Sequence, residues 1–139
     1  LNQMRFVVDR LDHLVITCRD VEISAGWFQR VLGMEREDYG EDRRTALKFG
    51  GQKINLRPRG ATQEDWFSGV EAAPGTQDLC FVCTVSAEDV LEHLEGIGVA
   101  VELGPVAKVG ALGPITSVYC RDPDGNLIEI ATYGEGYPG

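Results

Sequence analysis

The side chains in this chain best able to do chemistry lie on short segments that read as β-strands. His13 sits in Leu11-Asp12-His13-Leu14-Val15-Ile16-Thr17, and Asp78 opens Asp78-Leu79-Cys80-Phe81-Val82-Cys83-Thr84-Val85. Glu129 interrupts Leu127-Ile128-Glu129-Ile130-Ala131-Thr132-Tyr133. A carboxylate between isoleucines is costly to bury unless a cation or a donor meets it. One neutral imidazole and two carboxylates offer N and O donors and balance a doubly charged ion. That set suits one divalent metal ion, Mn, Fe, Ni, Zn or Mg. Taken singly, His13 reads as a satisfied strand histidine, Asp78 as a turn cap, and Glu129 as an ion-pair partner of Lys53 or Arg57. The other histidine, His93, lies between Glu92 and Glu95 on a helix and reads as solvated surface.

What favours the metal is a repeat. The segment from His13 begins a strand, followed by a helix capped by Asp20 with apolar Ile23, Trp27, Phe28, Val31 and Leu32, ending at Gly33. Strands are expected around Met34–Tyr39, Thr45–Phe49 and Lys53–Arg57. The second half does the same: a strand from Asp78, then a helix opened by a Ser86/Asp89 capping box and ended by Gly98. Strands are then expected around Val101–Leu103, Thr116–Cys120 and Asn126–Tyr133. Asp122-Pro123-Asp124-Gly125 forms the last hairpin turn, with Pro123 setting φ and Gly125 taking a positive one. His13 to Gly33 and Asp78 to Gly98 are both 20 residues apart, and Ile54-Asn55-Leu56 overlays Ile128-Glu129-Ile130. Such a repeat predicts an α+β fold of two βαβββ modules, with the helices on the outer face of a cupped, eight-stranded, mostly antiparallel sheet.

Period-two alternation sorts each strand into a helix side and a free side. His13, Val15, Thr17, Lys53, Asn55, Arg57, Asp78, Cys80, Val82, Glu129, Ala131 and Tyr133 fall on the free side, and Tyr119 joins them. The repeat relates His13 to Asp78 and Asn55 to Glu129, and all four converge if the halves pack as a pseudo-twofold pair. On this reading His13, Asp78 and Glu129 are metal ligands, and Glu129 and Tyr119 are catalytic. Asn55, Arg57, Lys53, Tyr133 and Trp66 line the substrate site, with Arg43 and Arg44 as further anion-binding candidates.

The domain spans 10–133: module one at about 10–58, a Gly/Pro-rich linker at 59–76 carrying Trp66 and Phe67, and module two at about 77–133. Residues 1–9 read as an N-terminal extension and 134–139 as a tail. The net charge of −9 argues against nucleic acid or an anionic membrane as partner. No apolar run approaches the ~20 residues of a membrane span, and no export signal is recognisable, so a cytoplasmic location is expected. Of the four cysteines, Cys80 and Cys83 have CxxC spacing but fall on opposite faces of one strand. With Cys18 and Cys120 they are expected as reduced, buried thiols.

Leu11-Asp12-His13-Leu14-Val15-Ile16, Phe28-Gln29-Arg30-Val31-Leu32-Gly33-Met34 and the run from Tyr119 through Asp122-Pro123-Asp124-Gly125 to Glu129 resemble the vicinal oxygen chelate superfamily. That superfamily includes glyoxalase I, fosfomycin- and bleomycin-resistance proteins and extradiol dioxygenases. Lys53-Ile54-Asn55-Leu56, Asp78-Leu79-Cys80 and Gly110-Ala111-Leu112-Gly113-Pro114-Ile115 look most like glyoxalase-domain members named virulence proteins. The resemblance implies a homodimer, with a metal at the positions of His13, Asp78 and Glu129 polarising vicinal oxygens of a small substrate by lyase, isomerase or dioxygenase chemistry. Asp78, where fosfomycin-resistance and extradiol relatives carry His, counts against the dioxygenase. The alternative is a metal-free binding protein like the bleomycin-resistance relatives, with Trp66 and Phe67 stacking on a small aromatic or cationic ligand.

Overall fold

The repeat read from the sequence is a repeat in the backbone. A computed structural model of the chain describes residues 5–134, so most of the expected tail and part of the expected extension lie outside the described residues. Module one runs β1 (His13–Cys18), α1 (Val21–Leu32), β2 (Glu35–Tyr39), β3 (Arg44–Phe49) and β4 (Gln52–Pro58). Module two runs β5 (Asp78–Val82), α2 (Ala87–Gly96), β6 (Leu103–Gly110), β7 (Gly113–Arg121) and β8 (Leu127–Thr132). The strands form two four-stranded sheets of matching order, β1-β4-β3-β2 and β5-β8-β7-β6. In each, the first strand pairs in parallel with the last and the remaining ladders are antiparallel. The α+β class and the two βαβββ modules are as expected, and both sheets are open at their edges.

Local chemistry sets the element ends. Asp20 caps α1 by accepting from the Ile23 N–H, and Gly33 closes it in the left-handed region at φ 67°. Ser86 caps α2 through the Asp89 N–H. In the last turn the Gly125 N–H donates to the Asp122 carbonyl at 3.0 Å across Pro123 and Asp124.

One strand differs from expectation. Val101–Leu103 was to be the strand after α2; the ladder instead occupies Leu103–Gly110 and pairs with β7 as a hairpin turning at Ala111-Leu112. Gly104, Pro105 and Gly110 read as breakers in sequence. β6 is an edge strand, where a missing N–H is harmless. At Gly104 (φ 115°) a Cβ would come within 2.5 Å of the Ser117 carbonyl oxygen, so only glycine lets β6 lie this close to β7.

The helix-side faces of both sheets meet in one core. Ile16, Leu47, Ile54 and Leu56 of module one join Val118, Cys120, Ile128 and Ile130 of module two around Phe28, Val31, Val90 and Leu94. Polar contacts close the seam between modules. The Arg19 backbone N–H and guanidinium Nη1 donate to Asp124 at 3.0–3.3 Å, and the Ser24 hydroxyl donates to its other oxygen at 3.3 Å. His93, expected at the surface in water, instead bonds through Nε2 to the Val31 carbonyl at 2.8 Å. The end of α1 leaves that carbonyl without a helical partner, and α2 brings the imidazole to it. Cys18 and Cys120 are buried free thiols as expected, whereas Cys80 is exposed and Cys83 half-buried. Among the described residues no helix is long and apolar enough to cross a membrane.

Candidate functional site

Because both helix sides turn inward to a shared core, the two free sides are separate surfaces of one chain, and no ladder joins them. Module two carries the acidic one. On β8, Glu129 is half-buried and pairs with Cys80 of β5 on one side and Tyr119 of β7 on the other. Ser117, fully buried on β7, donates its hydroxyl to Glu129 Oε2 at 2.6 Å. No Lys, Arg or His of the described residues forms an ion pair with this carboxylate. Its charge is felt nearby: burial first, then Glu129, pushes the Cys80 thiol up to about 11, and the same two causes raise the Tyr119 phenol. Both therefore stay protonated at neutral pH. Asp78, exposed at the start of β5, lies on the same face. Lys108 approaches the Tyr119 ring at 5.9 Å.

Module one carries the basic one. His13 pairs with Lys53 across β1 and β4, and its Nδ1 lies 2.8 Å from Asp12 Oδ2. That hydrogen bond holds the Asp12 carboxyl below its ordinary value. An ionised Asp12 accepts the Nδ1 proton and leaves Nε2 as the nitrogen available to a ligand. Lys53 folds over the Tyr39 ring, with Nζ 3.8 Å from its centre. Asn55, in the place of Glu129, is 6% exposed, and its buried Oδ1 has no hydrogen-bond partner.

Two of the residues expected to bind substrate are occupied otherwise. Arg57 is 3% exposed, and its guanidinium donates to the Ala61 and Trp66 carbonyls at 3.0–3.3 Å. Trp66 is buried beneath the Arg44 guanidinium, 4.0 Å from its ring centre. Both pin the linker to module one, a job the sequence does not reveal because the linker has no regular pattern. Tyr133 accepts the Leu112 N–H at 2.9 Å and so tethers the β6–β7 hairpin.

One chain does not bring the expected ligands together. Among the described residues no three His, Cys, Asp or Glu side chains are grouped to hold an ion. Asp78 and Glu129 share the acidic face, while His13 stands on the basic one. The structure also adds residues that pattern reading passed over. Ser117 shares the face of Tyr119 by alternation, and Asp12 is the sequence neighbour of His13, so both were within reach of that reasoning. Asp124 was not, since its partners Arg19 and Ser24 are about 100 residues away.

Comparison with known proteins agrees with this architecture. A profile of the Glyoxalase/Bleomycin resistance protein/Dioxygenase superfamily matches residues 10–130. A glyoxalase domain-containing protein, RDO1 of Mycosarcoma maydis, is 47% identical over 131 residues, covering 94% of this chain and 72% of the relative. The virulence protein STM3117 of Salmonella typhimurium is 40% identical; its crystal structure superposes with a TM-score of 0.87, covering 92% of this chain and 99% of that one. At 16% identity, FosX of Listeria monocytogenes, a fosfomycin resistance protein solved with Mn(II) and sulfate, shares the fold with a TM-score of 0.63 over 91% of each chain.

Proposed function

Since the chain belongs to the glyoxalase/bleomycin resistance protein/dioxygenase superfamily, we propose that it is a divalent-metal-dependent enzyme acting on a small substrate with vicinal oxygens. It works as a homodimer whose sites combine the basic face of one copy with the acidic face of the other. One observation carries the reading: Glu129 is a half-buried carboxylate that no Lys, Arg or His of the described residues pairs with. Such a group attracts a cation, and the free face of module one in a second copy would offer it a ligand, His13.

The donor chemistry fits. His13 Nε2, Asp78 and Glu129 are one borderline and two hard donors, suited to Mn or a similar ion, and the Mn(II) of FosX supports the choice. Such an ion would act as a Lewis acid on the paired oxygens of the substrate. The protein's own groups do the rest. Tyr119, kept protonated, offers its hydroxyl to a substrate oxygen. Lys53 neutralises negative charge from the facing copy. Association of copies is further supported by Phe6, Val7 and Val8, which are 78%, 74% and 73% exposed in a single chain.

The test is calorimetric titration of chelator-treated, tag-free protein with Mn2+. Saturable uptake by wild type that is lost in His13→Ala supports the enzyme, and no uptake contradicts it. A second reading, a metal-free binder of an aromatic or cationic compound, is favoured by Phe67, 89% exposed on the linker. It predicts no Mn2+ uptake and quenching of ligand fluorescence that Phe67→Ala removes.

A further inference from the structure

We infer that Ser117 is a positioning residue for Glu129, holding its carboxylate in one orientation for the ion. This rests on the metal reading above. Ser117 has no exposed surface, and its hydroxyl reaches Glu129 Oε2 at 2.6 Å, a short bond from a neutral donor to a charged acceptor. Its backbone is paired on both sides, with β6 and with β8. The neighbouring strand crosses it at Gly104, where a Cβ would stand 2.5 Å from the Ser117 carbonyl oxygen and 2.9 Å from Val118 Cα. On the other side the β7–β8 ladder sets Ser117 beside Ala131 and Tyr119 beside Glu129. The donor thus sits on a strand held from both flanks.

Module one shows the same scaffold without the device. Ala46 pairs with Asn55 as Tyr119 pairs with Glu129, so the position matching Ser117, two residues earlier, is Arg44. Arg44 turns away, to the Asp65 carbonyl and the Trp66 ring. Asn55 accordingly has no such donor. The hydroxyl is present in the module with the carboxylate and absent from the one with the amide.

The experiment uses full-length wild type, Ser117→Ala, Ser117→Thr and Glu129→Gln, with Mn2+ as the only probe. Ser117→Ala should bind Mn2+ about 10- to 100-fold more weakly, with a broadened Mn2+ paramagnetic resonance spectrum and a metal-free melting midpoint lowered by loss of the bond to Glu129. Ser117→Thr, which keeps the hydroxyl, should recover most of the affinity. Wild-type Mn2+ affinity in Ser117→Ala, alongside loss in Glu129→Gln, would overturn the role of Ser117 and leave the metal site standing. No uptake by wild type would remove the metal site itself. The metal-free crystal structure of Ser117→Ala decides the positioning separately: a displaced Glu129 carboxylate supports it, and an unmoved one refutes it.

Discussion

Asn55 and Glu129 hold matched positions on matched strands, and the two modules treat them in opposite ways. Module two surrounds its carboxylate with the hydroxyl of Ser117, the phenol of Tyr119 and the thiol of Cys80. Module one buries its amide to 6% exposure and leaves Oδ1 without a partner. Beside Asn55 stand Lys53 and the buried Arg57 on its own strand and His13 on the next; on the face of Glu129 stands Asp78, which acts on Tyr119 and Arg121. The two modules thus share a scaffold and differ in the groups their free faces carry at these matched positions. Two identical acidic faces would repel one another, whereas an acidic and a basic face attract when copies associate.

The comparison can be broken in several places. The largest effect is expected at Glu129: Glu129→Gln keeps the shape and the bond from Ser117 but removes the charge, and should abolish Mn2+ uptake in a calorimetric titration. Asn55→Leu should leave uptake unchanged in the same assay. Next comes the seam that holds the modules together. Asp124→Ala leaves the buried Ser24 hydroxyl and the part-buried Arg19 N–H without their acceptor, and should cost about 2–3 kcal/mol in urea unfolding without altering the m-value. A smaller effect of opposite sign is expected from Asn55→Leu. Removing an unsatisfied buried carbonyl oxygen should stabilise the fold by about 1 kcal/mol, and a loss of stability would show that Oδ1 has a partner.

The smallest effect is a contrast in pH response. In module one the Arg36 guanidinium bonds Glu22 at 2.7–2.8 Å. Glu22 is held low chiefly by Arg36, and Asp38 by Thr45 and then Arg36. Stability from lowered carboxyls is present above their unfolded values and lost as pH falls through the folded ones. In module two burial raises Asp122 despite its bonds from Asn126 and the Asp124 N–H. Its contribution is full in acid and lost as pH rises through its folded value. Arg36→Ala should therefore lower the urea midpoint slightly at neutral pH, with the difference shrinking in acid. A deficit independent of pH would show that Arg36 acts by packing rather than by charge.

Much of this was legible in the sequence because it is local. Asp20, Gly33, Ser86 and the Pro123–Gly125 turn act on residues within four positions, and alternation along a strand needs no tertiary information. The displaced β6 was not legible, because Gly104 and Pro105 signal a break unless the strand is known to be an edge. The faces of His13, Asp78 and Glu129 were read from alternation, but their convergence depends on how the modules pack. That packing is set by Asp124 with Arg19 and by His93 with Val31, contacts spanning 62 to 105 residues that no short pattern encodes. Arg57 shows the same limit: its place in the strand is plain, while its partners lie in an irregular linker.

The central claim is that each metal site takes His13 from one chain and Glu129 from another. Mixing His13→Ala with Glu129→Gln after reversible dissociation tests it directly. If sites are shared between chains, every mixed dimer holds one intact site, and a statistical 1:1 mixture should recover about a quarter of the wild-type Mn2+ capacity. If the mixture binds no more Mn2+ than the separate variants, the site is not built between copies, and the account is wrong.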